Sequence, residues 1–282
     1  MYKPRSILKQ ILYQAILAAI GVFVLLPIAA MVRLAFDGSI IVAPTDFRLF
    51  PKEFTLDIFR QIWVQPSQTL TFLELLGNSL YVSAGAALLS ILFGTSMAYA
   101  FARHRFPGRK QGLFFLLLGT LLPPVALMTP LFILLTALKL RTSLFGLVIV
   151  YTAFTIPFCI WNMRAAFQAI SKELEESAFL DGATPWISFW RIHMPLALPA
   201  ILVAGLVAFL VGYSEFAIGW LFVQSSSNVT LAMAMIAAFN QSGVSWSAMS
   251  AMAILMSVPV VVIFLVLRHY LLDRLVISSR IE

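Results

Sequence analysis

Six apolar runs, each long enough to cross a bilayer as a helix, constrain this chain more than any other feature. They cover about residues 11–34, 78–101, 113–138, 144–166, 196–223 and 248–272. A helix needs roughly 20 mostly apolar residues to traverse the hydrocarbon core, and in lipid the backbone must satisfy its own hydrogen bonds. Runs of this length therefore dictate membrane-spanning helices. Composition agrees: the chain is 61% hydrophobic and 11% charged, where a soluble domain carries about 25% charge. The expected fold class is an all-α integral membrane protein with six transmembrane helices in a single domain, residues 1–282. Lys3, Arg5 and Lys9 precede the first run. That run is longer than the apolar core of a secretory signal and lacks a convincing small-residue cleavage site, so it reads as an uncleaved first span.

A net charge of +7 would elsewhere suggest nucleic acid. Here the basic residues sit in short clusters between apolar runs, and no nucleic-acid partner is expected. Thirteen Lys and Arg fall at the amino terminus, in the Arg103–Lys110 loop, in the Arg164–Arg191 stretch and at the carboxyl end. The opposite loops and their edges hold six: Arg33, Arg48, Lys52, Arg60, Lys139 and Arg141. The positive-inside rule then places both termini in the cytoplasm. Cys159 lies alone inside an apolar run, so no disulfide framework or thiolate metal site is expected.

The long polar interruption of the second half is Ser171–Pro195, also on the cytoplasmic side, and it carries four of the twelve acidic residues. Ser171 precedes a helix with acids in its first turn, as the helix dipole favours. That helix should run to Asp181, with Gly182 ending it in a left-handed turn. Thr184-Pro185 reads as the cap and first residue of a second short helix, stopped by Pro195. Trp186, Phe189 and Trp190 would share one face of it. Two short helices bent at a glycine, with aromatics between two spans, suggest a plug for another protein's groove.

Glu176-Ser177-Ala178, three residues, Gly182, nine residues and then Ile192-His193-Met194-Pro195 resembles the EAA loop of ABC importer permeases. Ser177 and Met194 depart from that pattern by residues of similar size. The string KELEESAFLDGA resembles the maltose-type, carbohydrate-importing branch, as does the Arg103–Lys110 turn with its Phe106-Pro107-Gly108-Arg109-Lys110 core. The resemblance implies the type I ABC importer permease fold with a cytoplasmic coupling-helix hairpin, in a bacterial or archaeal cytoplasmic (inner) membrane. It implies as partners two cytoplasmic ATPase subunits, a second homologous permease subunit and an extracytoplasmic solute-binding protein, besides membrane lipids. Coupling to the ATPase would fall to Glu175, Glu176, Ser177, Ala178, Asp181, Gly182, Ala183, Trp186, Phe189, Ile192 and Pro195. ATP and magnesium would be bound on the ATPases, with no cofactor in this chain. The solute implied is a sugar or oligosaccharide, with a polyol or glycerol phosphate ester as the alternative.

The fifth run holds an acid at membrane depth, in Gly212-Tyr213-Ser214-Glu215-Phe216. Such groups are costly and face the bundle interior or water. Glu215, with the Tyr213 and Ser214 hydroxyls beside it, either lines the solute path, holds a gating helix pair, or is a purely structural glutamate. Of the string W-N-E-F common in the family, only Glu215 and Phe216 match. In the third run Pro123, Pro124 and Pro130 predict a bend. Thr55–Trp63 in the first outer loop is an amphipathic segment for the membrane surface or a neighbouring subunit. Val229–Phe239 in the uncharged last outer loop is a short re-entrant or interfacial helix. The carboxyl end, Ser278–Glu282, lacks the family's glycine-rich tail, which leaves no basis for a tail contact with the ATPase.

No G-x-x-x-x-G-K-[ST] loop, H-E-x-x-H pair or G-x-S-x-G elbow occurs, and His104, His193 and His269 are far apart. The chain is not expected to be an enzyme, nor to carry a catalytic or metal site. An ion-coupled secondary transporter would need midplane ion sites and internal repeats, and offers only one buried acid here.

Overall fold

Four of the six expected spans form as helices near their expected limits, and two are broken. The structure, a computed structural model, describes residues 7–40, 48, 50–64, 66, 69–239 and 245–278. Helices make up 82% of it, with no strand among the described residues. The intact spans are α1 (Ile7–Ala35), α3 (Phe72–Arg103), α6 (Leu144–Ala169) and α12 (Trp246–Ser278). The third run divides into α4 (Arg109–Leu121) and α5 (Pro124–Ala137), bent by 102°. Pro123 and Pro124 cause this: Leu122, before a proline, is extended (φ −72°, ψ 126°), and Pro124 restarts the helix where its missing N–H costs nothing. Among the described residues, five helices are long and apolar enough to cross a bilayer, or six if the bent pair is one span.

The chain divides into two compact units. In the first, made of residues 1–72 and 235–257, α1 ends in a turn organised by Asp37. The Asp37 carboxylate is sealed from solvent and accepts hydrogen bonds from the Ser39 hydroxyl (2.6 Å), the Ser39 N–H (3.2 Å) and the Lys52 N–H (2.9 Å). Arg33 reaches it at 3.5 Å. Burial alone would raise its pKa, but these hydrogen bonds prevail and bring it down to about 2. The Ser247 hydroxyl, in the first turn of α12, donates to the carbonyl oxygens of Asp37 (2.6 Å) and Ile40 (3.1 Å). The amphipathic segment between α1 and α3 forms α2 (Asp57–Val64), capped by the Thr55 hydroxyl, which accepts from the Asp57 N–H. It packs on its own chain: Ile62 is buried and Trp63 stacks on Phe72.

In the second unit, residues 73–234 and 258–282, α3, α6 and α9 (Met194–Ser214) pack together. Small polar groups join them. Ser90 and Thr155 hydroxyls meet at 2.7 Å, Thr95 donates to the Met163 sulfur at 3.2 Å, and the Cys159 thiol reaches the Ala204 carbonyl at 3.6 Å. Such contacts hold helices together where lipid offers no hydrophobic drive. Around them Val82, Leu135, Leu147, Tyr151, Phe222 and Met233 form an apolar core. The segment between α10 and α12 yields α11 (Leu231–Phe239), whose first turn is buried. The Ser79 hydroxyl accepts from the Leu231 N–H, and the Asn78 amide donates to the Ser227 and Val229 carbonyls.

Candidate functional site

The segment after α6 folds as a helical hairpin whose turn chemistry is legible residue by residue. α7 (Lys172–Leu180) begins after Ser171, which adopts the capping backbone conformation without a side-chain bond. Asp181 closes the helix, and Gly182 follows at φ +86°, the left-handed conformation that a Cβ disfavours. The Gly182 N–H donates to Phe179 O (3.1 Å) and the Ala183 N–H to Ala178 O (2.9 Å), a Schellman closure. Thr184 then caps α8 (Pro185–Ser188), its hydroxyl accepting from the Ile187 N–H at 3.3 Å.

Pro195 does not stop this second helix. Residues Phe189–His193 form a single π-helical turn, with the Met194 N–H bonded to Phe189 O, and α9 continues directly from it. Pro195 falls in the first turn of α9, where its missing N–H is tolerated. Pro185–Ser214 is thus one helical run of 30 residues.

Trp186, Phe189 and Trp190 do cluster, with ring centroids 5.1–6.1 Å apart. Their exposure differs: Phe189 is buried on Tyr99 (4.8 Å), while Trp186 and Trp190 remain 68% and 48% exposed. Leu180 at the hairpin tip is 89% exposed. Glu176, Ser177, Asp181, Gly182 and Pro195 are also exposed, and Ala178, Ala183 and Ile192 are half-buried. Glu175 turns inward, and its Oε2 lies 3.6 Å from both Arg103 Nη1 and His193 Nε2. Arg103 in turn donates to Ile170 O at 2.7 Å, and His193 Nδ1 to Ser188 O at 3.2 Å. The base of the hairpin is thereby tied to the end of α3. Sequence reasoning missed Arg103, Tyr99 and His193 as anchors. Their one visible signal is a basic residue ending an apolar helix, which topology alone explains.

The fifth span is broken at Glu215, against the continuous helix expected over residues 196–223. α9 ends at Ser214, Glu215 is extended (φ −73°, ψ 134°), and α10 (Ala217–Phe222) restarts. The Glu215 carboxylate accepts from the Ile218 N–H at 3.0 and 3.2 Å and from the Tyr151 hydroxyl at 2.6 Å. It thus takes the N–H that an unbroken helix would give to Ser214 O, and pins α10 to α6. Gly219 permits the approach, since a Cβ there would collide with the Met233 methyl and crowd the Tyr151 oxygen at 3.1 Å. Tyr213 is buried and stacked on Phe209, and the exposed Ser214 donates to Leu210 O.

Residues 90–277 match the family described as "Binding-protein-dependent transport system inner membrane component". The chain is 28% identical over 260 residues to the trehalose transport system permease protein SugB of Mycobacterium tuberculosis, covering 91% of this chain and 93% of that one. It is 31% identical over 205 residues to the maltose/maltodextrin transport system permease protein MalG of Escherichia coli, covering 71% and 69%. The fold is similar to a chain of a bacterial ABC transporter importing the acidic polysaccharide alginate: TM-score 0.76, 20% identity, 96% of this chain and 99% of that one. A second structure of a bacterial alginate transporter, in complex with an alginate pentasaccharide-bound periplasmic protein, gives TM-score 0.67 at 20% identity over 92% and 93%.

Proposed function

The chain belongs to the binding-protein-dependent transport system inner membrane components, and on that premise we propose that it passes a sugar or oligosaccharide across the inner membrane as one subunit of an ATP-driven importer. As a member of that family it is a multi-pass ABC permease. The sugar assignment follows from relatives named for trehalose and maltose. A second permease, two ATPases holding ATP and magnesium, and a solute-binding protein complete the machine. The alginate transporter's complex with a periplasmic protein supports the last of these. Both termini and the hairpin lie in the cytoplasm, where the basic residues concentrate.

One observation carries the coupling role. The Lys172–His193 hairpin exposes Trp186, Trp190 and Leu180 while fixing its base through Phe189, Glu175 and Arg103. Large apolar side chains held on a rigid support fit a partner's groove, and buried aromatics dominate interface energetics. ATP-driven closure of the ATPases moves the hairpin, and the attached spans follow as rigid bodies to give alternating access. Glu215, with the neighbouring Tyr213 and Ser214, belongs to the solute path through the break it holds.

The test is gentle purification of the tagged chain with mass spectrometry of what accompanies it, followed by sugar uptake in vesicles. A Walker-motif ATPase and a second permease in stoichiometric amounts, with sugar uptake that ATP depletion stops and an ionophore leaves intact, are expected. A chain that purifies alone and stable would sink the coupling assignment.

A further inference from the structure

Between the end of α3, the basic turn leading into α4 and the first turns of α7 lies a cleft of about 440 Å³. Its walls carry four cations, Arg103, Arg105, Arg109 and Lys172, against two carboxylates, Glu175 and Glu176. Glu175 is already engaged by Arg103. Among the described residues no acid forms an ion pair with Arg105, Arg109 or Lys172. Arg109 also lies near enough to Arg164 for the two guanidiniums to repel. The Arg103 side chain is only 6% exposed, and its Nε is buried with no hydrogen-bond partner. The cleft therefore carries an excess of positive charge beside a largely buried guanidinium.

Its depth matters as much as its charge. α3 is a membrane span that ends at Arg103, and α4 begins the bent pair at Arg109, so the cleft opens where apolar helix gives way to polar chain. That is the level of lipid headgroups, and Phe106 at the tip of the turn is 40% exposed. We propose that this cleft holds the phosphate of an anionic phospholipid, with Arg105 and Arg109 as its donors and the charge of Arg103 behind them. Guanidinium suits this ligand because its planar fork matches two phosphate oxygens at once, and basic pockets beside membrane helices take such headgroups. The lipid would brace the α3–α4 turn against α7. The site rests on the membrane placement that family membership gives, and not on ATPase docking, so sugar uptake and lipid retention can fail separately.

Native mass spectrometry of the full chain, with whatever subunits accompany it, tests this by titration with phosphatidylglycerol and with phosphatidylcholine. The wild type should retain phosphatidylglycerol preferentially. At about fivefold per surface cation, the double variant R105Q/R109Q should retain it about 30-fold more weakly. The charge-conserving R105K/R109K, which loses the fork but keeps the charge, should retain the lipid less well than the wild type and better than R105Q/R109Q, and K172Q should lose about fivefold, so the test survives if one variant misfolds. Equal retention of the two lipids by the wild type would overturn the proposal, as would unchanged retention by R105Q/R109Q in folded protein. Displacement of the lipid by millimolar inorganic phosphate would make the site one for a soluble anion instead. Loss of lipid whenever an ATPase subunit is bound would give the cleft to a protein carboxylate.

Discussion

The Tyr151 hydroxyl on α6 donates a 2.6 Å hydrogen bond to the Glu215 carboxylate at the break between α9 and α10. The same carboxylate caps α10 through the Ile218 N–H, so one side chain terminates a helix, starts the next and fixes it to a neighbour. Removing one partner of a buried hydrogen bond costs about 1–3 kcal/mol. Tyr151→Phe should therefore lower thermal stability by an amount in this range. If Glu215 also contacts solute, Glu215→Gln should raise KM for uptake while Tyr151→Phe leaves KM unchanged. Equal effects of both variants on KM would make Glu215 architectural only.

Gly182 sits at φ +86° with no atom near the position of an added Cβ, so the strain of substitution is conformational and not steric. Left-handed backbone costs an L-residue about 1–2 kcal/mol, and a β-branched residue more. Gly182→Val should abolish uptake while membrane insertion, followed by fractionation, stays normal. Uptake at the wild-type rate would count heavily against the hairpin as the ATPase contact.

Trp186 and Phe189 touch each other but face opposite fates on truncation. Phe189→Ala removes a buried ring packed on Tyr99, and should cost about 3–5 kcal/mol in unfolding experiments. Trp186→Ala, at an exposed position, should change stability by no more than about 0.5 kcal/mol. In pull-downs it should nonetheless weaken ATPase association at least tenfold, as loss of an interface anchor does. Trp186→Ala with unimpaired association would remove that anchor from the model of docking.

Asp37 gives a pH dependence of defined sign. Its pKa is lowered from 3.8 to about 2, so the folded state favours the carboxylate. The resulting contribution, on the order of 2 kcal/mol, is complete above about pH 4 and fades as pH falls towards about 2. Asp37→Asn should flatten acid unfolding in that window, measured by fluorescence in detergent. An unchanged acid limb would show that other carboxylates govern it.

The elements read well from sequence where local chemistry decides them. Gly182, Thr184 and Pro185 specify their own backbone, and the apolar runs specify helices whatever their neighbours. Two breaks were not legible in the same way. Pro123-Pro124 announced a bend but not its 102°, which depends on what each half packs against. Glu215 announced a costly acid, yet its partner Tyr151 lies 64 residues away in the chain, and nothing local marks that pairing. Pro195 misled in the other direction. A proline stops a helix only if the turn before it cannot absorb the lost bond, and the π-turn at Phe189–His193 absorbs it. The Arg103–Glu175–His193 cluster joins three separate segments, and only the folded chain brings them together.

The uninterrupted run from Pro185 to Ser214 has a mechanical consequence. At about 1.5 Å per residue it is a rod some 45 Å long, on the order of the full bilayer thickness. One end carries Trp186, and the other stops at Glu215. A push at the tryptophan end is passed along this run as tilt, and a small angular swing becomes a displacement of several ångströms at the far tip. The rod ends where the Glu215 carboxylate starts α10, whose Ile218 and Phe222 are seated in the core, so that junction is where a stroke is converted into an opening.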